Sequence, residues 1–467
     1  MRIWKESLEA LCSEILIAKG SPPKLNLPPG PKGLPLLGSV FEPKGDTIAY
    51  LTKCTREYGD IVFFRFLGVP ACYLSRPDYI ESVLVTQNSN FVKSKDYRAM
   101  RRVLGNGLLL SEGDFWRRQR KLIQPAFHQE RIAAYAEIMV GYTQRMLASW
   151  RDGQELDIHE AMMRLTLGIV AKTLFDADVS HEAEDVDAAL AVLMGKFLRQ
   201  AGMALLLPTW VPLPTSLLLK RAVGRLDKVI YGIIEQRRRS GQMSGDLLSA
   251  FLQAQDEEGV GMTDRQLHDE IMTLFLAGHE TTANVLSWTW LLLGQNPEAE
   301  SKLVAELERV LNGRIPTPAD LPQLTYTDAV LRESMRLYPP VWVIGRRALA
   351  SFRLGDYEIP ANTNMLISQY LMHRDARYFP EPQRFDPDRW SASNPRAASL
   401  PRFAYFPFGG GPRVCIGAGF AMMEAVLLLA TIAQKFKFEI APGYKVDVQP
   451  TVTLRPRNGI PAKLVRR

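Results

Sequence analysis

Two places in this 467-residue sequence combine residue types that could do chemistry. The first is Cys415, which follows Gly409-Gly-Gly411 and Arg413 and precedes a helix-forming run over residues 420–436. A cysteine near a helix N-terminus feels the positive end of the helix, which favours the thiolate. Glycines on either side of it, Gly409–Gly411 before and Gly417 after, let backbone approach a flat ligand closely. Arg413 can meet an anionic group. A thiolate presented this way suits one axial position of a haem iron, where it pushes electron density onto the metal and favours O–O cleavage. Taken alone, a cysteine is more often a small buried hydrophobe.

The second place is Ala277-Gly-His-Glu-Thr-Thr282, in the middle of a long apolar run. Thr263 and Gln266 have the spacing of a capping box, the run continues to Gly294, and Pro297 lies beyond. About 30 residues at ~1.5 Å rise make a rod of roughly 45 Å. It is apolar on nearly all sides, so it should be a central, buried helix. Glycine inside a helix costs about 1 kcal/mol, and a buried carboxylate costs more unless paired. Local rules break here, which is where function is expected. A carboxylate and a hydroxyl lining a water chain can relay protons. His279 is one step off that face and reads as helix packing or a partner to Glu280.

Competing readings fail on the residues. Gly409-Gly-Gly411 lacks the Gly-Lys-Ser/Thr ending of a phosphate-binding loop. Gly417-x-Gly419 has Met422 where a dinucleotide fingerprint needs its last small residue. His279-Glu280 begins like a zinc-protease motif, but position 283 is alanine. The four cysteines, Cys12, Cys54, Cys72 and Cys415, make no disulfide framework in so long a chain, and a reducing compartment follows. The net charge of +7 is spread along the sequence. That is no nucleic-acid footprint, but it suits an acidic protein partner.

The positioning elements are mainly helical. Residues 27–35 form a stiff proline-rich lead-in, and runs at 61–66 and 71–74 read as a hairpin. The pattern is largely helical from residue 77 to 336, then turn-rich, and residues 446–465 alternate like short strands. Residues 201–219 are apolar, but Pro208, Pro212 and Pro214 argue against a membrane span. Residues 1–18 carry Trp4, Leu8, Leu11 and Ile15 at amphipathic helical spacing.

Phe408-x-x-Gly411-x-Arg413-x-Cys415-x-Gly417 resembles the haem-ligand loop of cytochrome P450 monooxygenases. Further segments resemble that family in its order: Trp116-Arg-Arg-Gln-Arg120 its WxxxR helix, Ala277–Thr282 its oxygen-activation segment, Glu333-Ser-Met-Arg336 its ExxR motif, and Pro382-Gln-Arg-Phe385 its PERF motif, with Gln383 at the Glu. The likeness covers nearly the whole chain and is nearest to bacterial members related to the fatty-acid-hydroxylating branches. It implies a mainly α fold with small β-sheets, the cytochrome P450 fold, with a large helical domain and a smaller β-rich subdomain. Residues 1–38 would be the amphipathic segment and lead-in, and residues 39–467 the haem domain.

The resemblance implies haem b, O2 as co-substrate, and NAD(P)H acting through a redox partner. Cys415 would be the proximal ligand, with Phe408 shielding the sulfur and Gly409, Gly417 and Ala277 beside the haem. Trp116, Arg120 and Arg413 would meet the propionates, joined by Arg346 or Arg347, of which Arg347 is favoured. Glu280 and Thr281 would relay protons, Glu280 connecting to bulk solvent, while Gly278 and the threonine hydroxyl would let the helix open for O2. Glu333, Arg336 and Arg384 would form a structural charge cluster.

Phe275, Leu276, Val341, Val343, Ile344 and Val452 would line the substrate site, the last within the stretch Thr451–Thr453, with residues 98–109 as another wall and residues 205–217 as an apolar lid. An apolar site implies a hydrophobic substrate. A fatty acid is favoured, its carboxylate met by Arg98, Arg101 or Arg102, and terpenoid or steroid hydroxylation is the alternative. A peroxide-driven enzyme would replace the Glu280–Thr281 pair, and a haem sensor would not need it. The sequence ends 52 residues past Cys415 (467 − 415) with no flavin or ferredoxin domain. Electrons would therefore come from a separate ferredoxin- or flavodoxin-type protein with its reductase. The expected protein is a monomer in the cytoplasm without a transmembrane segment, residues 1–18 being its one candidate for membrane contact.

Overall fold

A computed structural model of the chain describes residues 26–34, 38–39, 46–66, 68–179, 185–186, 188–190, 192–193, 214–241, 246–255, 259 and 261–467. The amphipathic segment over residues 1–18 and the lid residues 205–213 lie outside the described residues, as do the side chains of Arg98 and Arg102. Among the described residues, no helix is long and apolar enough to cross a membrane.

The fold is built around one helix, Asp264–Gln295. Thr263 accepts from the Gln266 N–H, and the Gln266 side chain accepts from the Thr263 N–H at 2.8 Å, so the expected capping box starts it. The helix runs unbroken for 32 residues, with no local opening at Gly278. A Cβ at Gly278 would lie 3.1 Å from Val170, so this glycine admits the neighbouring helix Ile158–Phe175. Helices Pro214–Ser240, Thr325–Leu337 and Ala418–Ala433 also pack on the rod, burying most of its surface. Away from its ends the exposed position is Ala277, flanked by half-buried Gly278 and Thr281.

The β-rich part joins distant segments. Ile61–Phe66 and Val69–Leu74 form the expected hairpin. Val69–Leu74 then runs parallel to Asn364–Ile367, which pairs with Ile344–Ala348, which pairs with Phe91–Lys93. A separate hairpin near the C-terminus pairs Val448–Pro450 with Leu454–Pro456.

One buried ion pair fastens the helical part to the cysteine loop. Arg336 is fully buried, and all five of its N–H groups are used. Nε and Nη2 donate to Glu333 at 2.8 Å each. Nη1 donates to the carbonyls of His373 (2.9 Å) and Pro382 (2.7 Å), and Nη2 to that of Arg384 (2.9 Å). Glu333 also accepts from Asp386 N–H, Arg389 Nε (3.2 Å) and Trp390 Nε1 (3.0 Å).

The third member of the cluster is therefore Arg389, not Arg384. The short 3-10 turn Pro387–Trp390 swings Arg389 and Trp390 onto Glu333. Arg384 lends only its carbonyl, and its side chain pairs with Glu381 at the surface. His373 continues the chain of contacts: its Nε2 accepts the N–H of Phe406, at the mouth of the cysteine loop, at 2.9 Å. Burial holds the His373 pKa down at about 3, so the ring stays neutral and can accept.

Removing one member of such a set strands the others in the interior. Glu333→Gln should lower the unfolding free energy by ~3–5 kcal/mol in chemical denaturation. Arg389→Met should cost less than Glu333→Gln, and Arg384→Met should be nearly neutral.

Candidate functional site

A cavity of about 350 Å³ brings the two chemical motifs together. Its lining includes Phe408, Gly409 and Cys415 from the loop and Ala277, Glu280 and Thr281 from the central helix. Thus Ala277 is the exposed step of a buried rod because it faces this space.

The loop glycines serve the chain beneath them. A Cβ at Gly411 would lie 1.9 Å from the Leu84 carbonyl oxygen, and one at Gly410 would lie 2.3 Å from the Phe403 ring. Close approach is needed, but to the protein's own backbone and core. Gly417 does not line the cavity; it caps helix Ala418–Ala433 and offers its N–H to the Cys415 sulfur. Burial raises the Cys415 pKa, and the Gly417 N–H and Arg120 oppose that rise without overcoming it. The expected net lowering is therefore absent. The sulfur opens onto the cavity rather than onto bulk water.

One rim of the cavity is cationic. The Arg413 guanidinium stacks 3.9 Å from the centre of the Trp116 ring, donates to the Ser111 carbonyl at 2.8 Å and pairs with Glu112. Arg120 donates to the Val414 carbonyl at 2.8 Å. Sequence reasoning missed Lys93, whose N–H donates to Glu112 Oε1 at 2.7 Å. Lys93 and Arg346 are direct cross-strand partners, and both line the cavity. Like charges set opposite each other across strands are destabilising. Burial, together with Arg346 and Arg413, pushes the Lys93 pKa well below its usual value. Burial also brings Arg413 down to about 10.

Arg347, favoured over its neighbour from the sequence, sits on the other face of the strand. It donates to Asn362 Oδ1 at 2.7 Å and does not line the cavity. Strand alternation from Ile344 puts 344 and 346 inward and 345 and 347 away. Val343, just before the strand, does not line the cavity either.

On the central helix, Thr281 Oγ1 donates to the Ala277 carbonyl at 2.5 Å. Glu280 does not reach bulk solvent: it is 2% exposed and accepts from Thr453 Oγ1 at 2.6 Å. Burial raises its pKa. His279 turns away from Glu280 and contacts the Met163 carbonyl at 3.0 Å; burial lowers its pKa to about 4. Two other buried carboxyls flank the site, each pushed up to about 8 by burial. Glu424 faces Thr282, and Glu270 accepts the Leu108 N–H at 2.8 Å.

The remaining walls are apolar. Leu276, Val341 and Val452 line the cavity as expected, joined by Met100, Leu108 and Leu219. Phe275 does not line it; its ring lies against Phe175, centroids 6.3 Å apart, in the core. Arg101 donates to the Leu110 carbonyl at 3.1 Å. Lys93 and Thr453 carried no motif. The signal for Lys93 was an inward position on a strand that begins with buried Phe91; Thr453 lies in the stretch expected as a substrate wall, but its bond to Glu280, 173 residues away, had no sequence signal.

A family model described as cytochrome P450 matches residues 28–461. The chain is 38% identical over 427 residues to cyclooctatin synthase of Streptomyces melanosporofaciens, covering 91% of this chain and 92% of that protein. It is 36% identical over 434 residues to cyclooctat-9-en-7-ol 5-monooxygenase of the same organism, covering 91% and 94%. It is 31% identical over 421 residues to pentalenene oxygenase of Streptomyces avermitilis, covering 90% and 92%.

The buried acids set a pH dependence. An unfolded Glu titrates near ~4.3. Above that, the folded chain keeps a proton on Glu424 that the unfolded chain has released, so stability falls as pH rises, until about 8. Glu424→Gln should remove up to ~1.4 kcal/mol per pH unit of that slope. Denaturation series across that range would show it, and an unchanged slope would mean Glu424 is ionised when folded.

Proposed function

The chain belongs to the cytochrome P450 family, and we propose that this monooxygenase oxygenates compact, largely hydrocarbon terpenoid skeletons, with Cys415 as the thiolate ligand of its haem. When bound, the haem activates O2 and inserts one oxygen atom into the substrate, with electrons supplied through a redox partner, as in the family.

The residues fit that group. Cys415 stands at the cavity wall with Phe408 beside it. Lys93, Arg346 and Arg413 are basic groups crowded around one carboxylate, Glu112, so the rim is short of negative charge. Two haem propionates would supply it. Arg120 and Trp116 complete the rim, with Trp116 as the platform under Arg413. Thr281 and Glu280 line the same cavity and would pass protons toward the reacting oxygen, the hydroxyl orienting a water and the neutral acid donating.

The substrate reading rests on the relatives, three of which are named for terpenoid substrates or products. The apolar walls agree with it. The fatty acid favoured from the sequence has no such support among these relatives. Arg101, one of its proposed carboxylate partners, already donates to the Leu110 carbonyl.

Titration of the ferric protein with a polycyclic diterpene alcohol should shift the haem from low to high spin, and palmitate should not. A shift with palmitate alone would reverse the substrate reading and leave the haem assignment intact. Haem transfer to apomyoglobin should be roughly tenfold faster from Arg346→Leu than from wild type, a loss worth ~1.4 kcal/mol of charge-assisted bonding. Arg347→Leu should release haem at the wild-type rate.

A further inference from the structure

The hairpin near the C-terminus meets the central helix at two polar points, Thr453 on Glu280 and Leu454 on Trp288. Its tip, Thr451 to Leu454, is held on both flanks by buried tryptophans. Trp342 Nε1 donates to the Thr451 carbonyl at 2.8 Å, and Trp288 Nε1 to the Leu454 carbonyl at 3.0 Å. The Leu454 N–H donates to the Pro340 carbonyl at 2.8 Å. Between these anchors, Val452 and Thr453 line the cavity. Two indoles and a backbone bond therefore fix Thr453 in place.

The Thr453 hydroxyl makes one hydrogen bond recorded among the described residues, to Glu280 Oε1 at 2.6 Å. Glu280 is fully desolvated, an environment that favours the neutral acid. A neutral carboxyl has one good acceptor, its carbonyl oxygen, and one donor, its O–H. A hydroxyl that donates to Oε1 selects Oε1 as the carbonyl and leaves the proton on Oε2. The nearby Thr281 hydroxyl already donates to the Ala277 carbonyl, so toward the cavity it presents only lone pairs.

We infer that Thr453 is a positioning residue which fixes Glu280 as a hydrogen-bond donor into the cavity, giving the proton path a single direction from Glu280 toward Thr281. This rests on the proton-relay reading of Glu280. The same tip carries Val452 against the substrate space, so packing of a substrate there and the orientation of the acid are mechanically joined. The charged group acting on Glu280 is Arg455, on the same hairpin; like the Thr453 bond, it favours the ionised form. His279 faces Met163, and Glu424 faces Thr282.

The test uses the resting, haem-loaded protein. The infrared difference between wild type and Glu280→Gln isolates the carbonyl stretch of Glu280. In Thr453→Val that band should move to higher wavenumber, because its carbonyl loses a hydrogen bond, and Thr453→Ser should restore it. In turnover, Thr453→Val should release several-fold more peroxide per NAD(P)H consumed. The alkaline pH at which coupling fails should move upward, since a bond favouring the ionised acid is gone; Thr453→Ser should return both. An unmoved band and an unmoved alkaline limb in Thr453→Val would overturn the inference. If Glu280→Gln itself couples like wild type, the relay reading falls, and the infrared result still decides whether Thr453 orients the acid.

Discussion

Arg336 is the fixed point of this molecule. A guanidinium offers five donors in one rigid plane, and here each has an acceptor placed by a different stretch of chain or by Glu333. Taking such a pair out of water is expensive, and an apolar replacement could be as stable. What the pair adds is uniqueness. Only one arrangement of helix Thr325–Leu337, the His373 turn and the Pro382–Trp390 segment satisfies all those atoms together. His373 passes that definition to Phe406, and so to the loop that carries Cys415. The position of the sulfur is thus decided by polar geometry more than by the loop's own residues.

A second constraint acts on the opposite wall. The central helix is buried along most of its length, yet it must bring an acid and a hydroxyl to a cavity. Ala277 keeps the step low, Thr281 ties its hydroxyl to the preceding turn, and burial raises the Glu280 pKa while Thr453 donates to its carboxyl. The helix makes these concessions without breaking. Gly278 is small to admit a neighbouring helix, so a glycine in the middle of the rod marks packing rather than flexibility.

What the sequence revealed was local. The capping box at Thr263, the hairpin from Ile61 and the haem-loop spacing each lie within a few residues, where chain geometry leaves little choice. What it hid depends on distance or on a single step of register. Arg346 and Arg347 are equivalent until a strand decides which face is inward. Arg384 and Arg389 share one turn-rich stretch far along the chain from Glu333, and only the turn at Pro387 shows which side chain arrives. Phe275 and Leu276 differ by ~100° around a helix, enough to send one to the core and the other to the cavity. Lys93 and Thr453 belong to no motif and acquire meaning only from partners far along the chain.

The order of strands also bears on how the protein is made. The sheet places Val69–Leu74 beside Asn364–Ile367, and Phe91–Lys93 beside Ile344–Ala348. A nascent chain therefore displays Lys93, Trp116 and Arg120 through most of its synthesis before the strand partner of Lys93 and Cys415 leave the ribosome. The early segments must wait, with an unpaired strand edge and a cationic face, for the last third of the translation product. Closure of the cavity is then a late event in biogenesis. A group seated between these early segments and Cys415 would thus be enclosed only once most of the chain has been made.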